Sequence, residues 1–331
     1  MTIRTLFVSA ALGALSLNVG LIGSASAEEL KFANFMPAGH PYVGSTFQPF
    51  ADAVAQGTDG AVTVKLYNGG ELGAGPVEQY GRVTDGVAEL AVSLPGYTAS
   101  QFPLTLLAEL PGVLDEATGT DTLENHLDLF AKEYRRVHLV SLWSSAENLL
   151  FTRNKAVHTP ADLKGMKIRV PSRNTGVMVE AWGATPVSMP VSEIYNAMQT
   201  GVIDGAMIDG TGINAFKLSE VSNYITKGME TTNSPFFIVM NRDAYNDLTD
   251  EQKAVVDAAG RDAAEHGQAS QLAVAQKGLE SFAATDGKEV ITLTDDEAKA
   301  FDELSAKAVD TIVAGTGGDA QQIVETLKAD H

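Results

Sequence analysis

Two hydrophobic patterns divide the chain. Residues 5–27 carry no charge and are mostly Leu, Ala, Val, Ile, Gly and Ser, after a four-residue start holding one cation, Arg4. The run closes on Ala25-Ser26-Ala27, a small-x-small signal, and Glu28-Glu29 follow at once. This is the pattern of a secretory signal peptide cleaved after Ala27. An N-terminal membrane anchor is the alternative; Gly13, Ser16, Asn18 and Gly20 dilute the run, and no basic cluster follows it.

From residue 28 onward, short runs of period two and longer runs of helical period alternate. Strands are expected at 29–34, 61–66, 90–94, 137–142, 148–153, 166–170, 203–208 and 235–241, the last (PFFIVMN) giving the strongest signal. Helices are expected at 47–56, 77–83, 174–182 and 191–200. Two more open on capping boxes: Thr249-x-x-Gln252, running toward Phe282, and Thr294-x-x-Glu297, running to about Gly315. The helix from Thr249 is long enough to bridge two halves of a molecule. This alternation predicts an α/β protein with mainly parallel sheets covered by helices.

Composition narrows the function. The 331 residues hold 42 acids against 23 Lys plus Arg, a formal charge of −19, so neither a nucleic-acid backbone nor an anionic membrane surface is an expected partner. No cysteine is present, which removes disulfides, thiolate metal sites and thiol catalysis. The six histidines form neither HExxH nor HxH, and no GxSxG or SxxK occurs. Gly70-x-x-Gly73-x-Gly75 lacks the Lys-Ser/Thr of a phosphate loop and reads as a turn. Asp204 and Asp209 are a nearby carboxylate pair, weak support for acid–base chemistry. No metal, cofactor or enzymatic activity is expected.

Residues 159–205 carry the most specific pattern. Asp162-Leu163-Lys164-Gly165 and Lys167-Ile168-Arg169-Val170-Pro171 are followed by Gly183-Ala184-Thr185-Pro186. Ser192-Glu193-Ile194-Tyr195 then leads through Gln199-Thr200-Gly201 to Asp204-Gly205. Together these segments resemble the central signature of the extracytoplasmic solute-binding proteins of tripartite ATP-independent periplasmic (TRAP) transporters. The flanks at 32–41, 67–86 and 234–257 agree more loosely.

The resemblance implies a two-domain, class II-like periplasmic binding protein, with a ligand cleft between the domains, hinge strands and a long bridging helix. Residues 28–148 plus 236–274 would form the first domain, and 149–235 plus 275–331 the second. The chain would work as a monomer, close on a small organic acid, and deliver it to integral-membrane TRAP subunits for uptake driven by an ion gradient. The family's arginine ligand falls on Arg169, whose fork suits a carboxylate; the alternative is a surface arginine paired with an acid. For the second arginine of many relatives, Arg153 is the nearest candidate, although Asn148 and Leu149 lie closer to its position. Sialic-acid binders continue Asp-Gly with Gln-Glu-Asn; here Ala206-Met207-Ile208-Asp209 follows, which argues against sialic acid. Asp209 either contacts a ligand hydroxyl or caps a helix.

Aromatic residues complete the candidates. Tyr97 and Trp143 follow strands, Phe236 opens the hinge strand, and His40 and Tyr80 lie in or beside early loops; core packing is the alternative for each. One arginine among aromatics suggests an aromatic, 2-oxo or 2-hydroxy monocarboxylate, with uronates and C4-dicarboxylates left open. The other readings are a periplasmic enzyme on a similar scaffold and a binding protein that feeds a sensor.

Overall fold

The computed structural model describes residues 28–330, and the expected signal peptide lies outside them. The chain builds two sheets. In chain order the strands are β1 (Glu28–Ala33), β2 (Val62–Tyr67), β3 (Leu90–Ser93), β4 (Val137–Glu147), β5 (Leu149–Thr152), β6 (Lys167–Val170), β7 (Thr185–Ser188), β8 (Gly205–Ile208), β9 (Tyr224–Lys227), β10 (Asn233–Asn241) and β11 (Glu289–Thr292). The first sheet has the order β2-β1-β3-β10-β4, the second β11-β9-β5-β8-β6-β7.

The expectation of mainly parallel sheets needs correcting: both are mixed. β10 runs antiparallel to β3 and β4, and β5 runs antiparallel to β8 and β9. These are the strands next to the two crossings between domains. β4 ends at Glu147 and β5 starts at Leu149 in the other sheet, so Asn148 is the outbound crossing; the return runs from Lys227 to Asn233. A chain that leaves one sheet and returns beside its own exit produces antiparallel neighbours. Asn148 braces the two crossings, its Nδ2 donating to the hydroxyls of Thr232 (3.0 Å) and Ser234 (3.2 Å) and its backbone N to Thr232 O (2.9 Å).

The helix Asp250–Ala283 spans both domains, as its length suggested. Its capping box is formed in both directions: Gln252 N donates to Thr249 Oγ1 (3.2 Å) and Thr249 N to Gln252 Oε1 (2.9 Å). Glycines let it sit close to each domain. A Cβ on Gly260 would lie 2.0 Å from Val140 O in β4, and one on Gly278 would lie 2.6 Å from Gly210 O beyond β8.

The C-terminus departs from the expected division. Ile323, Val324 and Leu327 of the helix Ala320–Ala329 join Leu107, Ala108 and Phe130 in a core of the first domain, although 275–331 was assigned to the second. The preceding helix Asp295–Thr316 packs Phe301 against the second domain and Ile312 and Val313 against the first. The long helix is thus a third passage between the domains, and the tail adds a fourth.

Candidate functional site

The carboxyl ends of parallel strands from both sheets meet across the cleft, where α/β proteins place ligands. The chain leaving β1 brings Phe35 and Met36, that leaving β3 brings Leu94 and Tyr97, β6 carries Arg169, and β8 ends at Ile208 before Asp209. They line a cavity completed by His40, Tyr42, Asn148, Phe216, Phe236 and Gln271 among others.

Arg169 is 2% exposed. Its Nε donates to Met189 O (2.9 Å), Nη1 to Met207 O (3.0 Å) and Nη2 to Tyr97 Oη (3.4 Å). A guanidinium has five N–H groups, so one on each terminal nitrogen is left without an acceptor among the described residues. No carboxylate lies within ion-pair distance among the described residues. Burial weighs against the charge, and the nearby Tyr97 and Asp209 partly offset this; a guanidinium stays protonated regardless. The cavity therefore holds a desolvated cation with free donors.

Asp209 is buried too. Its oxygens accept from Thr211 N (2.8 Å) and Gln271 Nε2 (3.0 Å). Burial raises its pKa, and the Thr211 hydroxyl together with these donors opposes the rise. Burial also holds His40 neutral, down to about 4. The His40 Nδ1 accepts from Tyr42 N (3.2 Å), which puts the ring proton on Nε2. Arg169 is thus the one charged cation among the described residues lining the cavity.

Of the candidate residues, the fold brings Arg169, Asn148, Tyr97, His40, Asp209 and Phe236 to this cavity. Three lie elsewhere. Arg153 donates through Nη2 to Gln199 O (3.4 Å), at the carboxyl end of the helix Val191–Thr200, where a cation complements free carbonyls. Trp143 is fully buried behind Phe236, stacked on it at 5.4 Å, and donates to Tyr42 Oη (3.2 Å). Tyr80 packs edge-on against Phe102 (5.2 Å) in a core of the first domain.

The sequence reading passed over Tyr42, Phe216, Phe35 and Gln271. Gln271 did leave a signal: it follows Gly267 and precedes Ala275 at four-residue spacing, a long polar side chain in a stripe of small ones. Phe216 left none, since it sits in a short irregular segment.

Hydrogen bonds close the cleft both at the cavity and beyond it. Tyr97 Oη accepts from Val191 N of the opposite domain (3.2 Å). Ser172 Oγ donates to Glu109 (2.7 Å) and Asn174 Nδ2 to Leu106 O (3.0 Å), again across the cleft. Gly96 meets the other domain so closely that a Cβ there would lie 3.1 Å from Pro171 O.

Residues 32–316 match the family described as bacterial extracellular solute-binding protein, family 7. The chain belongs to this family. It is a TRAP periplasmic solute-binding protein, and its relatives are binding proteins rather than enzymes. The chain is 28% identical to the ectoine-binding periplasmic protein TeaA of Halomonas elongata, over 98% of this chain and 96% of that one. It is 27% identical to the 2,3-diketo-L-gulonate-binding periplasmic protein YiaO of Escherichia coli, over 85% and 84%. A marine metagenome TRAP solute-binding protein specific for aromatic acids, crystallised with 3-hydroxybenzoate, superposes with a TM-score of 0.81 at 28% identity, covering 92% of this chain and 98% of that one. Proteins of this family work with membrane TRAP subunits. No helix among the described residues is long and apolar enough to cross a membrane.

Proposed function

We propose that this TRAP solute-binding protein captures a small monocarboxylate with a flat, largely apolar body, of the aromatic or 2-hydroxy or 2-oxo acid kind. The observation that carries the reading is the buried Arg169, with one N–H free on each terminal nitrogen and no ion-pair partner, facing a cavity ringed by Phe35, Tyr42, Tyr97, Phe216 and Phe236. A carboxylate would accept both free N–H groups, and the rings would cover the body of the ligand. Closure removes water from the pair and strengthens it. The related aromatic-acid protein supports the same class. A C4-dicarboxylate would need a second cation, and no other charged one lines the cavity.

A second reading is favoured by one observation: Asp209 faces the same cavity as Arg169. A zwitterion could place its carboxylate on Arg169 and its cation near Asp209 among the aromatic rings. The ectoine-binding relative gives this reading its chemical example.

In the proposed cycle, the mature protein, processed after Ala27, meets ligand as an open monomer in the periplasm. It closes by bending at Asn148 and at residues 228–232 and passes the ligand on chemically unchanged. The test is calorimetric titration of the protein from Glu28 with benzoates, aryl-2-oxo acids, mandelate, uronates, C4-dicarboxylates and ectoine. Binding of one aromatic or hydroxy acid class, absent for its neutral amide and lost in Arg169→Met, supports the reading. Tight binding of a C4-dicarboxylate or uronate alone would refute it.

A further inference from the structure

The polarity of a buried hydrogen-bond chain sets what the cavity asks of its ligand beyond a carboxylate. The chain starts at Trp143, whose indole N–H can only donate. It donates to Tyr42 Oη (3.2 Å). Tyr42 therefore accepts there, and its own proton goes to Gln271 Oε1, with which it makes a short hydrogen bond. That contact fixes the amide of Gln271: its oxygen faces Tyr42 and its nitrogen faces Asp209, donating at 3.0 Å. Thr211 N donates to the other oxygen of Asp209 at 2.8 Å. Turning the amide over would bring its oxygen against the oxygens of Asp209 and leave the Tyr42 proton facing an NH₂ group. The order is thus Trp143 to Tyr42 to Gln271 to Asp209, every proton pointing toward the carboxylate. Gly267, one helical turn before Gln271, holds the start of the chain in place, since a Cβ there would lie 3.0 Å from the indole.

Asp209 is the acceptor end of this chain, and it lines the cavity together with Tyr42 and Gln271. A carboxylate has about four acceptor positions; with Thr211 N and Gln271 Nε2 bonded to it and the Thr211 hydroxyl close by, it keeps capacity for one further donor.

We propose that Asp209 selects ligands that present a hydrogen-bond donor beside their carboxylate, with Gln271 and Tyr42 as positioning residues that hold it in the accepting role. This rests on the carboxylate reading of Arg169 and sharpens it: hydroxy acids, or acids with a cationic N–H, are accepted, and their oxo, ether or unsubstituted counterparts are disfavoured. A group that can only accept would face the lone pairs of Asp209 in a desolvated site, where an unpaired acceptor is costly.

The experiment uses matched probes on the mature protein: the three hydroxybenzoates against their methoxy ethers and benzoate, mandelate against phenylglyoxylate and phenylacetate, and ectoine for the cationic arm. Wild type, Asp209→Asn and Tyr42→Phe are titrated with each. In wild type, at least one hydroxy acid, or ectoine, is expected to bind about tenfold tighter than any counterpart without a donor. In Asp209→Asn that advantage is expected to fall below about threefold; the readout is the ratio of each donor-bearing acid to its donor-free counterpart, because losing a negative charge beside Arg169 shifts the Kd of every acid together. Tyr42→Phe should reduce the advantage in part, because Gln271 is then free to turn over; a purely structural defect would weaken all probes alike. Which arm binds tells a hydroxyl from a cationic N–H. Equal binding of donor and donor-free acids in wild type, or an advantage that survives in Asp209→Asn, overturns the proposal and leaves the Arg169 reading standing. Failure of every acid and of ectoine overturns both.

Discussion

Two buried ionisable groups lie on the seam between the domains, and they have opposite fates. Glu109 is a carboxyl pressed between the domains, accepting from Ser172 Oγ at 2.7 Å. Burial pushes its pKa up to about 8, with the hydrogen bonds from Ser172 and Asn174 opposing the rise. It escapes the cost of a buried charge by keeping its proton. Arg169 cannot do that. Its guanidinium stays charged, three donors are spent on Met189, Met207 and Tyr97, and the rest face a cavity. One group takes its hydrogen bonds from the protein itself, across the seam of the closed form. The other is complete only when an anion is supplied from outside. Burial and domain contact are common to both, so neither marks a binding residue; what separates them is whether the protein itself finishes the hydrogen bonding.

The contrast breaks first at Arg169. Arg169→Met keeps much of the volume and removes the fork, so a carboxylate ligand left in the closed cavity would have no partner. The expected loss is about 300-fold or more in Kd, on the order of 3–4 kcal/mol, the range for truncating one side of a desolvated charge pair. Calorimetry with the tightest acid found for wild type measures it. A loss under tenfold would mean that the free N–H groups are not what holds the ligand.

Glu109 is next, and here the readout is pH. The folded protein keeps the Glu109 proton up to about pH 8, whereas the unfolded chain releases it near the ordinary carboxylate value. Between those limits the native state binds more protons, so stability falls as pH rises. The contribution is complete below the ordinary value and lost as pH passes through about 8. His40 works in the opposite sense: held neutral down to about 4, it costs stability as pH falls below its ordinary value. Comparing wild type with Glu109→Gln cancels the His40 part. The glutamine still accepts from Ser172, so the variant should match wild type near pH 4.5 and exceed it at pH 9 by on the order of 4 kcal/mol. Urea unfolding at the two pH values decides; a parallel pH profile for both proteins would show that Glu109 is ionised in the fold.

A third test separates closure from contact. A Cβ on Gly96 would lie 3.0 Å from Ser172 Cβ and 3.1 Å from Pro171 O of the other domain, tight enough that the two domains must give way to any side chain there. Gly96→Val should hold the domains apart while leaving Arg169 and Asp209 intact. Affinity is expected to drop about 10- to 30-fold, near 1.5–2 kcal/mol, with thermal stability of the ligand-free protein changed by less than a few degrees. Unchanged affinity would mean that the closed seam at Gly96 does not contribute to capture.

How far the sequence revealed this depends on what kind of information each feature needs. The strand holding Arg169 was legible because Lys167 to Pro171 is a short apolar strand between a glycine and a proline, inside a run of spaced motifs. The long helix was legible from its capping box. β7, β9 and β11 were not: each is four residues long, β7 and β11 are sheet edges, and β7 contains Pro186, which an edge tolerates but a pattern search discounts. The cavity wall was half legible. Residues just past strand ends, such as Tyr97 and Asp209, follow a general rule of α/β architecture. Tyr42 and Gln271, 229 residues apart in the chain, meet only because the long helix returns across the first domain. No local pattern encodes that meeting. Trp143 was expected just past a strand at 137–142, but β4 continues to Glu147 and holds Trp143 within its ladder, paired with Phe236; its ring faces the long helix at Gly267, and Phe236 stands in front of it.

The smallest expected effect concerns the other arginine, and it tests the contrast by its absence. Arg153 resembles Arg169 in type and in lying on the second domain, and its place in the chain made it the candidate for a second ligand arginine. Its guanidinium instead reaches the carbonyl of Gln199 and lies against Gly201, where the helix Val191–Thr200 turns into a left-handed residue (φ 78°). A cation at that end complements the helix dipole and serves one free carbonyl, an interaction of about 0.3–1 kcal/mol at a partly exposed site. Arg153→Ala should therefore lower thermal stability slightly and leave ligand affinity within twofold of wild type. If instead the variant lost affinity for a carboxylate tenfold while keeping its melting temperature, Arg153 would have to swing into the cleft on binding. The difference between a cation finished by the protein and a cation waiting for a ligand would then fail at its simplest case.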